Sequence, residues 1–333
     1  MAAIAVLAVA FVVFAAIPVA VDDSDATEAT PVVVDEISKL TGNVAGEYKL
    51  ANNFEITSSI EISAAITLDL NGFTLKGQNC DTITVSSTGM LTIVDNSDKK
   101  TGTVDVVGDG KAAIKNEGTV VLNGGTIERS QETGIKIDGV TPTNKDSYYT
   151  VKNDGTLTVN DGTTIRNFVP GTGIDASKIS GASSNICNGG DKNATLTING
   201  GTIDGGLNAV KNDFYGVLTI KNGTITNQIQ VAVMNWGEAT IDGGSFTGYQ
   251  SALWVCSWYD KDSRTASAGK LTVNGGTFTN GSGWPDLIIQ TNSIYGAAYE
   301  DQPVEVNLNK SISIGCNKDL VRNKITFHLG AML

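Results

Sequence analysis

One histidine, His328, four arginines and four cysteines are all that this chain of 333 residues offers to the chemistries those side chains serve. Cys80, Cys187, Cys256 and Cys316 are scattered, with no Cys-x-x-Cys pair and no cysteine-histidine grouping, which excludes a zinc site as a reading. Arginine this sparse, with a net charge of -12, argues against a nucleic-acid partner, because phosphate binding needs clustered cations. Only 17% of the residues are charged and 6% are aromatic, and no part of the body carries the period of an amphipathic helix.

What the chain has instead is a repeated phrase. Leu-Thr-Ile-Asn-Gly-Gly-Thr-Ile runs from Leu196 to Ile203, and Leu-Thr-Val-Asn-Gly-Gly-Thr-Phe from Leu271 to Phe278. The same pattern starts at Leu68, Val120, Leu218 and Ala239, with degenerate copies at Leu91 and Leu157. Successive starts lie 23, 29, 37, 39, 22, 21 and 32 residues apart, so the basic unit is about 21 to 23 residues and the longer intervals carry inserted loops. Repeats of this length mark a solenoid.

Within a copy the first and third residues are apolar and the second is usually threonine, the alternation of a strand with one buried face. Thr92, Thr158, Thr197, Thr219, Thr240 and Thr272 are expected to face outward. The Asn-Gly-Gly or Asp-Gly-Gly that follows turns a corner, since glycine and asparagine tolerate positive φ. A second corner is marked by Gly89, Gly118, Gly155, Gly216, Gly237 and Gly269, and short apolar runs ahead of it supply another strand. Asn116, Asn153 and Asn235 each sit four residues before a repeat start, which predicts an internal ladder of amides. Two or three short strands per unit and two fixed corners describe an all-β chain, a parallel β-helix.

The phrase Ile-Thr-Leu-Asp-Leu-Asn-Gly-Phe-Thr-Leu from Ile66 to Leu75, followed by Gly-Gly-Thr-Ile rungs, resembles the right-handed parallel β-helix of the pectin-lyase-like superfamily. More narrowly, it is similar to the adhesin-like surface proteins of microbes that use this fold, and the resemblance covers roughly Glu47 to Leu329. It implies a non-catalytic extracellular or cell-surface protein that contacts glycans or other components of a host or neighbouring cell. Residues 1–21 are almost wholly apolar and read as a signal peptide or an uncleaved N-terminal anchor, the only part expected to touch a membrane. Residues 22–46 read as an acidic linker, with Val32 to Leu40 as a cap, and residues 47–333 as the β-helix. The C-terminal segment Lys324 to Leu333 reads as a strand without a polar cap, which suggests an end covered by a partner copy or continued in an assembly. In an exported chain the four cysteines are compatible with two disulfides or with isolated buried thiols.

An enzyme is the first rival. Relatives with this fold cleave acidic polysaccharides, by β-elimination with calcium and a basic side chain or by hydrolysis with clustered aspartates. The chain has no Asn-Thr-Asp, Gly-His-Gly or Arg-Ile-Lys and no Asp-Asp within the coil, so that hydrolytic route is not expected. One constellation remains for a lyase or glycoside hydrolase. Aligned rungs put Glu128, Arg166 and Asp204 at one position in three consecutive turns, which would separate the two acids by roughly 10 Å. An arginine between them would pair with both and keep them ionised, which suits charge complementarity better than acid catalysis.

The second constellation is aromatic and suggests a carbohydrate-binding module. Trp236, Trp254, Trp258 and Trp284 fall within fifty residues, joined by Tyr249 and Tyr259. An indole on a flat β face stacks on a sugar ring, although alternation places Trp254 and Cys256 on one face and Val255 on the other, which also fits packing. Calcium is the weakest reading. The Gly-Gly-x-Gly-x-Asp nonapeptide is missing, and only Asp260 and Asp262 in one insert offer paired carboxylates, so no cofactor is expected.

Overall fold

The alternation of apolar and hydroxylated residues translates directly into the coil seen in a computed structural model of the protein. It describes residues 30–130, 148–167, 183–190, 192–260, 265–267, 269–281, 283–290, 304–309, 311–315 and 325–329, with the two-residue strands Lys136–Ile137 and Ile179–Ser180. Of residues 258–260, 265–267 and 325–329, and of those two short strands, only the backbone is described.

Each turn of chain visits three sheets. Ala194–Ile198 lies in sheet 1, Thr202–Asp204 in sheet 2 and Asn208–Asn212 in sheet 3, and the chain re-enters sheet 1 at Gly216–Ile220. Among the described residues sheet 1 has twelve strands and sheets 2 and 3 have nine each, with every neighbouring pair parallel in the registers given below. The protein is a right-handed parallel β-helix, the hand that strand twist favours for a parallel crossover. From Leu91 onward the repeat starts stack in register, as in Leu196 on Leu218, Leu218 on Ala239 and Ala239 on Leu271, so the sequence unit is one coil; the start expected at Leu68 needs correction, because Ile66 is the residue that pairs with Leu91. Val32–Val34 adds a strand to sheet 1 ahead of Gly46–Leu50, and Leu40 is buried close by. The apolar N-terminal segment and Cys316 lie outside the described residues.

Inward positions form continuous columns. Leu75, Val104, Ile127, Ile165, Ile203, Ile225, Phe246 and Phe278 stack through sheet 2, with the last two rings 5.1 Å apart and nearly parallel. Burial of each such side chain contributes about 1.5–3 kcal/mol. The outward threonines of sheet 1 are aligned as expected, Thr158 on Thr197, Thr197 on Thr219, and Thr219 on Thr240.

The two corners use glycine for different reasons. Gly201, after the sheet 1 strand, has φ +85, a conformation that strains any side chain. Gly237, at the corner between sheets 3 and 1, has no positive φ. A Cβ there would run into the carbonyl oxygen of Gly216 in the preceding coil, so this glycine is required by inter-coil spacing.

The amide ladder exists and is longer than the sequence pattern suggests. Asn116 donates to Asn153, Asn153 to Asn188, Asn188 to Asn212 and Asn212 to Asn235, each Nδ2 to Oδ1 distance being 2.7 Å. Each Nδ2 also reaches a backbone carbonyl, as Asn212 does to Glu238 and Asn235 to Lys270. The five amides are buried inside sheet 3, where Val85 and Val255 occupy the equivalent positions beyond its ends.

Candidate functional site

The charged column falls in sheet 2 in the anticipated register, Glu128 beside Arg166 and Arg166 beside Asp204. It continues on the other side through Asp105 and Lys76, which pair at 3.3 Å. The expectation that Arg166 joins both acids needs correction. Its Nε pairs with Glu128 Oε2 at 2.5 Å, whereas Asp204 Oδ1 accepts the Thr226 hydroxyl at 2.5 Å. Thr226 is the in-register neighbour on the far side of Asp204, so a hydroxyl already at hydrogen-bond distance takes the place of a long, half-exposed arginine. The inserted loops flanking these rungs are described only in part, residues 141–147, 171–178, 181–182 and 191 lying outside the described residues.

Another arginine, Arg129, was not singled out by the sequence because it occupies an ordinary corner position. It is buried at the end of Gly125–Arg129, where it donates to the carbonyls of Gly108 and Lys111. Burial lowers its pKa to about 10, against the raising influence of Asp109, Asp105 and Asp81, so it stays charged at neutral pH and braces the corner.

The tryptophans divide. Trp236 and Trp254 are buried in a second apolar cluster with Val231, Met234, Cys256 and Ile288, on the outer side of sheet 3. Trp254 Nε1 donates to Gln290 Oε1 at 3.0 Å. Val255 points the other way, into the main core. Trp284 is 52% exposed, and Tyr249 is half-buried. Trp258, Tyr259 and Asp260 belong to a strand that pairs antiparallel with Thr265–Ser267, and their side chains, like Asp262, lie outside what is described. Among the described residues there is no group of three or more potential metal ligands.

The outer face of sheet 3 changes character along its length. In the earlier coils it carries lysine-acid pairs two residues apart, Lys152 with Asp154 at 2.8 Å and Lys211 with Asp213 at 2.5 Å. In the later coils the same columns become Met234 and Trp254, then Trp236 and Cys256. Where the two regimes meet there is a cavity of about 260 Å³ lined by Tyr149, Ser184, Asn208, Lys211, Met234 and Trp236. The Lys211 ammonium lies 5.0 Å from the centroid of the Trp236 ring, and Phe214 meets that ring edge-on at 6.5 Å. Ala209 and Val210, though adjacent, both belong to the main core, and the preceding Asn208 is left to line the outer cavity. Asn208 Nδ2 lies 3.2 Å from Ser184 Oγ.

Tyr149 and Cys187 are held neutral by burial. Burial pushes the Tyr149 phenol well above its usual range, reinforced by the Cys187 thiol, and burial pushes Cys187 itself up to about 11. Cys80 and Cys256 are likewise buried free thiols whose pKa is raised by desolvation. Thiols of this kind are poor nucleophiles at neutral pH. Comparison with protein-family models, with curated proteins and with solved structures finds no match to this chain.

Proposed function

We propose that this protein is a non-catalytic, adhesin-like surface protein of the pectin-lyase-like type, exported and displayed outside the cell, where it contacts glycans of a neighbouring surface. The observation that carries this reading is the engagement of the charged column. Glu128 is taken by Arg166 and Asp204 by Thr226, so the pair of carboxyls that a hydrolase needs free is committed to neighbours. An exposed ion pair of this sort contributes between zero and about 1 kcal/mol and works as surface complementarity. The outer face of sheet 3 supports the binding half of the reading, because it offers an aromatic-walled cavity beside polar side chains, with Trp284 exposed on a later coil.

A glycan array incubated with the chain, scored for retained protein and for released reducing ends or unsaturated products, tests this. Retention without product release is expected, and Arg166→Ala should leave retention unchanged within twofold. Product release that disappears in Arg166→Ala would replace this reading with a lyase or hydrolase centred on Glu128, Arg166 and Asp204.

A further inference from the structure

The Asn208 carboxamide holds an unmet hydrogen bond at the edge of the sheet 3 cavity. The residue is 3% exposed, and its Oδ1 accepts no hydrogen bond among the described residues. Ser184 Oγ satisfies the other end. A serine hydroxyl can serve either an amide oxygen or an amide nitrogen, so one polar atom of this carboxamide is left over whichever way the group is turned. An unpaired buried polar atom costs about 1–3 kcal/mol, and a partner that both donates and accepts removes that cost in either orientation. A hydroxyl is such a partner.

The other walls narrow the ligand further. The Lys211 ammonium is matched by Asp213, and Lys152 on the same face is matched by Asp154, so these two lysines are no surplus cations for a carboxylate. Trp236 and Met234, both nearly buried, contribute the apolar part of the lining, which suits C–H groups and not a fully hydrated ion. Tyr149, kept un-ionised by burial and hydrogen-bonded to Cys187, adds an uncharged wall. A volume near 260 Å³ is below the usual range of about 300–1,000 Å³ for drug-sized ligands and well above the roughly 30 Å³ of one water, so the space matches a single six-membered ring.

We infer that this cavity is a binding site for one uncharged, hydroxyl-bearing pyranose ring, which Asn208 and Ser184 hold by its hydroxyls against Trp236. A site of one-ring size takes a terminal or branch residue of a glycan, not the interior of an acidic chain. The inference rests on the glycan-contacting reading above for its biological setting, but the site stands or falls on its own measurement.

The chain of 333 residues is titrated with the methyl glycosides of glucose, galactose, mannose and N-acetylglucosamine, and with sodium galacturonate. Saturation-transfer NMR and intrinsic tryptophan fluorescence are the readouts. At least one neutral glycoside should bind saturably and more tightly than galacturonate, and both Asn208→Ala and Ser184→Ala should weaken it, the former by about tenfold. Circular dichroism shows whether each variant is folded, and if neither is, the preference of the unmodified chain for neutral over acidic sugar decides. Absence of saturable binding by every neutral glycoside, a preference for galacturonate, or unchanged affinity in both folded variants overturns the inference. If the array retains protein while the monosaccharides fail, the surface reading survives and this site does not. Monosaccharide binding with a silent array gives the reverse.

Discussion

At the scale of single residues, the corner aspartates show how much depends on backbone N–H groups. Asp95 is 3% exposed and accepts from Gly102 at 2.6 Å, Gly72 at 2.9 Å and Ser97 at 3.2 Å. Burial pushes its carboxyl up, but these donors outweigh it and hold the pKa below the ordinary aspartate value. A folded-state pKa below the unfolded one gives stability that is present above about pH 4 and lost as the pH falls through the folded value. Asp95→Asn should therefore lower stability by about 1–3 kcal/mol at pH 7, with the gap to the unmodified protein closing in strong acid. Thermal unfolding followed by circular dichroism at pH 7 and at pH 3 measures this, and a gap that widens in acid would contradict it. The partners of such residues are not legible in a sequence. Register placed Glu128, Arg166 and Asp204 side by side, whereas the choice of Arg166 for Glu128 and of Thr226 for Asp204 depends on side-chain reach that no spacing rule contains.

At the scale of elements, the amide ladder is the feature most open to a quantitative test. Asn212→Leu removes an interior rung, leaving a donor on Asn188 and an acceptor on Asn235 without their partners in a buried column. Each orphan costs about 1–3 kcal/mol, so a loss of about 2–6 kcal/mol is expected, and Asn235→Leu at the end of the ladder should cost less because it orphans only one neighbour. Urea unfolding of the two variants gives the comparison; equal losses would mean that the amides do not act as a chain. Three of the five rungs were legible from the spacing to the next repeat start. Asn188 and Asn212 were not, because extra corner residues such as Asp213 to Tyr215 lie between them and sheet 1, and ladder position follows the register of sheet 3. The cavity was invisible for a related reason. Its walls come from several coils, and Asn208 reads in one dimension as another corner asparagine. The consecutive inward pair Ala209 and Val210, repeated as Ala232 and Val233, is the signal from which its outward placement follows.

At the scale of the whole coil stack, the repeat predicts tolerance to loss of a complete unit. Leu196 and Leu218 occupy equivalent positions 22 residues apart. Deleting Leu196–Val217 joins Thr195 to Leu218 and restores every column, including an amide contact from Asn188 to Asn235. The shortened chain should stay soluble, keep its β-sheet circular dichroism and unfold at lower urea, while deletion of 19 residues from the same start should aggregate. Equal behaviour of the two deletions would refute the one-coil unit. The stacking has a mechanical consequence as well. The hydrogen bonds that join one coil to the next lie along the stack, and covalent connection between coils passes only through the winding chain. A pull between the two ends therefore meets these bonds in series, a coil at a time. Each coil that yields gives up about 4.8 Å of stack height; the shortest coils pay out 21 or 22 residues, roughly 75 Å of extended chain, and a coil with an insertion pays out more, 39 residues between Leu157 and Leu196. Under load the molecule is a spool, lengthening in steps set by the length of each coil while the coils still wound keep their columns intact.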